Sequence, residues 1–208
     1  MDDTGFLLDL PDPLASGIFS SSGGILAPAN GSNGLFVLAA PHAASAAMLA
    51  LAARLAHRYP FLRVIDGGNR FNAYLVAQEL RRLGESQIYT SLKRIRVQRA
   101  FTCYQVTTLL DDIALQGPPH PPTLVFDLLD TFFDESVPLD ERRQLAGHCV
   151  QRLRQLAEHA PVLASLRPLP PEKPDPTGLF EIVQKAADTL WLYQPPAPPL
   201  QHRLFPQE

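Results

Sequence analysis

LFVLAAPHAASAAMLALAARL, Leu35–Leu55, is the stretch that decides the fold of this chain. Five apolar residues in succession, Leu35–Ala39, with Ala40 and Pro41 after them, read as a strand buried on both faces. The alanine- and leucine-dense run that follows, Ala43 to Arg58, has the composition of a helix packed on a sheet. A buried strand feeding a helix through a short turn is the first half of a βαβ unit, which points to a parallel sheet.

In nucleotide-binding proteins such a turn carries a phosphate loop, G-x-x-x-x-G-K-[ST]. Its glycines let backbone N–H groups reach the phosphates, its Lys contacts the β/γ oxygens and its hydroxyl binds Mg²⁺. Here the eight positions are Ala40, Pro41, His42, Ala43, Ala44, Ser45, Ala46 and Ala47. Ala40 and Ser45 stand in the glycine positions, Ala46 in the Lys position and Ala47 in the hydroxyl position. His42 offers an anion ligand, but a loop without glycines is more simply a capped turn.

Outward from this unit, residues 1–33 form a lead-in with Pro11, Pro13 and a Gly/Ser/Asn-rich stretch from Ser20 to Gly34. Further strands are predicted at Phe61–Asp66, Ile95–Phe101, Thr123–Asp127, Pro161–Ser165 and Thr189–Tyr193. Between them lie predicted helices. One begins at an Asn72 cap and stops at Gly84, and a short turn of helix covers Ile88–Lys93. Thr102 caps a third that ends at Gly117, and others cover Pro138–His159 and Leu179–Ala187. Strands and helices alternating at this pitch imply right-handed crossovers and a three-layer α/β domain over residues 34–194. Its central sheet is mostly parallel, with helices on both faces. Residues 195–208 read as a proline-rich tail, whose PPAPP suits a polyproline II docking segment or a disordered end.

The chain has 208 residues, 46% of them apolar, enough for one core. Its formal net charge of −3 gives no global basic field for nucleic acid. Cys103 and Cys149 have neither metal spacing nor a disulfide pattern, which fits buried thiols in a reducing cytosol. The acidic start lacks a basic signal region, and no apolar run is as long as a membrane span. A soluble, cytoplasmic protein is expected.

Four segments, in order, resemble the RecA-type ATPase core of recombinases and their paralogues, a P-loop NTPase family. They are the altered phosphate loop, Ile65-Asp-Gly-Gly-Asn-Arg-Phe71, the stretch Ile95–Gln105, and Leu124-Val-Phe-Asp127, where the family has its Walker B aspartate. Together they span roughly residues 20–194. The resemblance implies a RecA-like fold, and it places the family's water-activating Glu at Gly68. The family's sensor Gln is missing from the strand that here continues Ser165-Leu-Arg167. Loss of one oxyanion-type donor typically costs about 10²–10³ in rate, so the joint loss predicts no ATPase and no cofactor. Asp127 alone cannot hold Mg²⁺·ATP.

The family's two DNA-binding loops correspond to Leu129–Leu139, acidic through Asp130, Asp134 and Glu135, and to the proline-rich Pro168–Gly178. Neither suits a phosphate backbone. The expected role is therefore a non-catalytic partner subunit, bound to a RecA-like ATPase or to further copies of itself, in recombination or repair. The alternative is direct DNA binding through Lys93, Arg94, Arg96 and Arg99, the densest basic cluster, although alternation along a strand splits Arg96 from Arg99 and a solvated, salt-bridged edge is the simpler reading. His148 and His159, eleven apart, share a face if one helix holds both, but lack a third metal ligand. Asp111-Asp112 and Asp127 with Asp130 read as a helix face and a strand-end acid rather than catalytic pairs, and Trp191 and Tyr193 as anchors of the last strand.

Overall fold

A computed structural model describes residues 33–167 and 175–192. The lead-in as far as residue 32, the prolines of 168–174, Tyr193 and the tail lie outside the described residues.

Six strands form one sheet: β1 (Leu35–Ala39), β2 (Leu62–Asp66), β3 (Ile95–Arg99), β4 (Thr123–Phe126), β5 (Val162–Leu166) and β6 (Thr189–Leu192). Their order is β3-β2-β4-β5-β1-β6, and every pairing is parallel. The helices are α1 (Ser45–Arg58), α2 (Ala73–Arg82), α3 (Ile88–Lys93), α4 (Cys103–Leu115), α5 (Leu139–Ala157) and α6 (Leu179–Ala186).

Strand alternation sorts the core into two layers. Phe36, Leu38, Leu62, Val64, Leu124, Phe126 and Leu163 pack with α1 and α2, and with Ile88 and Leu92 of α3. Leu35, Val37, Ala39, Ile65, Val125, Val162, Ala164 and Leu166 pack with α4, α5 and α6. Both faces of the central strands are thus covered, which is why β1, β2, β4 and β5 are buried along their whole length. β3 lies at an edge and is largely exposed. Trp191 of β6, at the other edge, stacks on Phe36 at 5.9 Å.

The predicted caps are in place. Asn72 Oδ1 accepts the N–H groups of Tyr74 and Leu75, and Thr102 Oγ1 that of Gln105. Gln105 reaches back to the N–H of Phe101 at 2.7 Å, so it serves the start of α4. Some boundaries differ from expectation. The turn after β1 is separate from α1. β3 stops at Arg99, and α5 ends at Ala157, leaving His159 beyond the helix. His148 therefore shares no helix face with His159; it pairs with Asp111 at 2.8 Å, and Arg152 joins the same oxygen, which ties α4 to α5. Cys103 and Cys149 are buried free thiols, and burial drives Cys149 up to about 12. Among the described residues no helix is long and apolar enough to cross a membrane.

Glu85 joins α1 to the start of α3, contacting the Gln87 N–H, His57 Nδ1 and Ser91 Oγ. These contacts, the Gln87 N–H foremost, hold its carboxyl at about 2. A folded-state value below the unfolded one stabilises above the unfolded pKa and fades as pH falls through the folded value. Glu85→Gln is expected to separate from the wild type in urea unfolding at neutral pH, and the two curves should converge between pH 4.5 and 2.

Candidate functional site

In open parallel sheets, ligands settle outside the carboxyl ends of the strands. In this sheet those ends are Ala39, Asp66, Arg99, Phe126, Leu166 and Leu192.

After β1, Pro41–Ala44 forms a tight turn in which His42, Ala43 and Ala44 all have left-handed backbone, with φ of 52°, 53° and 52°. For L-residues other than glycine this costs roughly 1–2 kcal/mol per residue. The surroundings enforce it. Ala40, Ala43 and Ala44 are buried, and Ala40 N–H bonds Leu166 O at 3.1 Å. The simple capped turn expected here is absent: Ala44 precedes α1 with no side-chain cap, and Ser45 Oγ bonds His42 O instead. Buried alanine methyls fill this loop, and one of them, Ala40, stands where a phosphate loop has its first glycine. Ala46 and Ala47 bring neither cation nor hydroxyl to the start of α1.

After β2 the chain passes close over the end of β4. Gly67 N–H bonds Phe126 O at 2.9 Å. A Cβ on Gly68 would lie 2.5 Å from Asp127 Cβ and 2.7 Å from Asp127 Oδ2. The resemblance puts a catalytic Glu at this position, and the close approach leaves no room for any side chain. Beyond it, Asp66, fully buried, accepts the N–H groups of Arg70 (2.8 Å) and Phe71 (3.0 Å). Arg99 Nε, from the end of β3, completes that carboxylate at 3.3 Å, while Arg99 Nη2 bonds Phe71 O.

Asp127, expected as a strand-end acid rather than a catalytic one, follows β4 directly. Its backbone is left-handed (φ 49°), which ends β4 at Phe126, and its N–H donates to the buried Ser165 Oγ. Its carboxylate is 2% exposed and accepts Arg167 Nε at 3.0 Å and Arg70 Nε at 3.3 Å. Arg167 also pairs with Asp130. Three carboxylates, Asp66, Asp127 and Asp130, thus meet three guanidiniums, Arg70, Arg99 and Arg167. These pairs form a self-neutralising network at the carboxyl ends of β2, β3, β4 and β5. Arg70 stands inside the segment that carries the resemblance and Arg167 follows β5, yet neither is legible from sequence as a partner of Asp127. Mg²⁺·nucleotide does not fit these residues, because the acid that would face the metal is already held by two cations.

The four basic candidates do not share a face. Arg94 Nη1 bonds Ala56 O and His57 O at the end of α1. Lys93 lies over the Tyr89 ring and Arg96 over the Phe61 ring. Arg99 belongs to the acid-bound network at the other end of β3. Asp134 binds the N–H of Ser136, which lowers its pKa. Among the described residues no group of three or more His, Cys, Asp or Glu side chains is placed to hold a metal ion. No protein-family model matches the chain, and no curated protein matches it.

Asp127→Asn is expected to lower stability by about 1–3 kcal/mol, read as a lower urea midpoint, because both arginines lose a charged acceptor. An acid kept for metal binding gives the opposite result in the metal-free protein, since its removal relieves charge crowding. Gly68→Ala is expected to cost about 1–3 kcal/mol through the overlap with Asp127. In Asp127→Gly background the same change should cost clearly less, a non-additivity that a double-mutant cycle measures.

Proposed function

We propose that this chain is a non-catalytic RecA-like domain that acts as a structural or regulatory partner subunit in an assembly of DNA recombination or repair. The observation that carries this reading is the capture of Asp127 by Arg70 and Arg167 beside a Gly68 with no room for a base. Phosphoryl transfer depends on positioning and charge stabilisation, and each element it needs is replaced here by packing or by an internal ion pair. Alanines fill the phosphate loop while the strand, turn and helix around it remain. Such a domain keeps the shape of a nucleotide-binding subunit without its chemistry, which suits recognition by surface complementarity. The link to recombination rests on the ordered sequence segments, an argument by analogy.

Direct DNA binding through Lys93, Arg94, Arg96 and Arg99 has weaker support. Arg94 caps a helix, Arg99 is neutralised by Asp66, and only Lys93 and Arg96 are left along the exposed edge.

Two measurements test the proposal. In a thermal-unfolding assay Mg²⁺·ATP is expected to leave Tm unchanged, whereas a ligand at 100 times its Kd adds about 2.7 kcal/mol. A saturable rise with turnover overturns the non-catalytic part. Tagged protein recovered from its source cells after nuclease treatment is expected to bring down a P-loop ATPase. Recovery that depends on nucleic acid, or no partner in either arm, overturns the subunit part.

A further inference from the structure

At the opposite end of the sheet, β2 carries Arg63 between Leu62 and Val64. Those two residues pack against α1–α3, so the Arg63 side chain lies on the α4–α5 face. It is 6% exposed, and its backbone N–H bonds Pro122 O at 3.0 Å. Gln116 Oε1, just past α4, accepts Arg63 Nη2 at 3.3 Å, and Nη1 has no partner. His120, in the loop between α4 and β4, also buries an unpartnered atom, Nδ1. The rings of His120 and His159 are 5.8 Å apart, and burial together with the Arg63 and His159 charges lowers the His120 pKa.

Three basic groups from three parts of the chain thus gather here, and among the described residues no carboxylate bonds any of them. Among the described residues one other buried guanidinium, Arg142, also leaves a nitrogen without a partner, its Nε, while Phe132 O takes its Nη1; most cations elsewhere have acceptors. Arg70, Arg99, Arg152 and Arg167 each have an aspartate, and Arg94 has two carbonyls. A buried guanidinium donor left without an acceptor is costly, and like charges beside it add to that cost. The end of α4 favours the Arg63 cation through its dipole, but it supplies no acceptor for Nη1. An anion with two acceptor oxygens removes both deficits, taking Nη1–H from Arg63 and Nδ1–H from His120 in the tautomer that protonates that nitrogen.

We propose that Arg63 Nη1 and His120 Nδ1, bordered by His159, form a binding site for an oxyanion, phosphate or carboxylate, at the amino end of the sheet. The site is independent of the nucleotide end and of the role proposed above.

The test is thermal unfolding of the full chain in inorganic phosphate and, separately, in acetate, each against chloride at matched ionic strength. A saturable rise in Tm is expected in at least one, on the order of 5–10 °C at 100 times Kd, equivalent to about 100-fold in the folding constant. A rise in phosphate alone assigns a phosphate site, and a rise in acetate alone a carboxylate site. His120→Ala, a loop substitution, is expected to keep the fold by circular dichroism and weaken the anion at least 10-fold. Arg63→Met should abolish the shift; if it does not fold, His120→Ala decides. No shift beyond chloride in the wild type, or an undiminished shift in His120→Ala, overturns the proposal.

Discussion

Two arginines meet on one buried carboxylate, and much of the molecule depends on that meeting. Asp127 follows β4, Arg167 follows β5, and Arg70 lies in the loop after β2, so a single acid ties together three strand ends. The loop after β2 must pass within van der Waals contact of Asp127 to bring Arg70 there, which restricts position 68 to glycine. Asp66 repeats the arrangement one strand further out, with Arg99 from the sheet edge. A buried acid with one cation removed would be strongly destabilising, so each member constrains the others. Side chains supply internally what a bound ligand supplies in an open nucleotide site.

The two ends of the sheet are therefore unlike. At the carboxyl end Arg70, Arg99 and Arg167 each have an acid. At the amino end Arg63 Nη1 and His120 Nδ1 are buried without a partner. The first arrangement favours rigidity and shape, the second recognition of charge.

Much of the architecture was legible in the sequence, because its signals are local and strong. The continuous apolar runs marked strands covered on both faces, and Asn72 and Thr102 marked helix starts that the structure places at those residues. A six-stranded all-parallel sheet follows from the alternation of such segments. The site was less legible. The loss of the phosphate-loop residues is visible from their identities. The pairing of Asp127 with Arg70 and Arg167 joins positions forty or more residues apart and has no local period. The basic run from Lys93 to Arg99 is dispersed for a related reason: neighbours in sequence on a short helix and a strand meet different partners, carbonyls for Arg94, rings for Lys93 and Arg96, and Asp66 for Arg99. The left-handed turn at His42–Ala44 also had no sequence signal, since alanine ordinarily avoids that backbone and only the tertiary clamp enforces it.

The place of β1 in the strand order has a consequence for biosynthesis. The first of the described strands to emerge lies inside the sheet, one place from the β6 edge, and its partners are β5 and β6: Leu35 pairs with Val162, and Phe36 with Thr189. At about 5–20 residues per second, a ribosome needs on the order of ten seconds to deliver those partners. Meanwhile β2, β3 and β4 are synthesised in sequence and pair with one another, so half of the sheet can assemble early. Throughout that interval Leu35–Ala39 is an apolar strand with neither edge paired, and the nascent chain must keep it from other hydrophobic surfaces until the last third of the domain arrives.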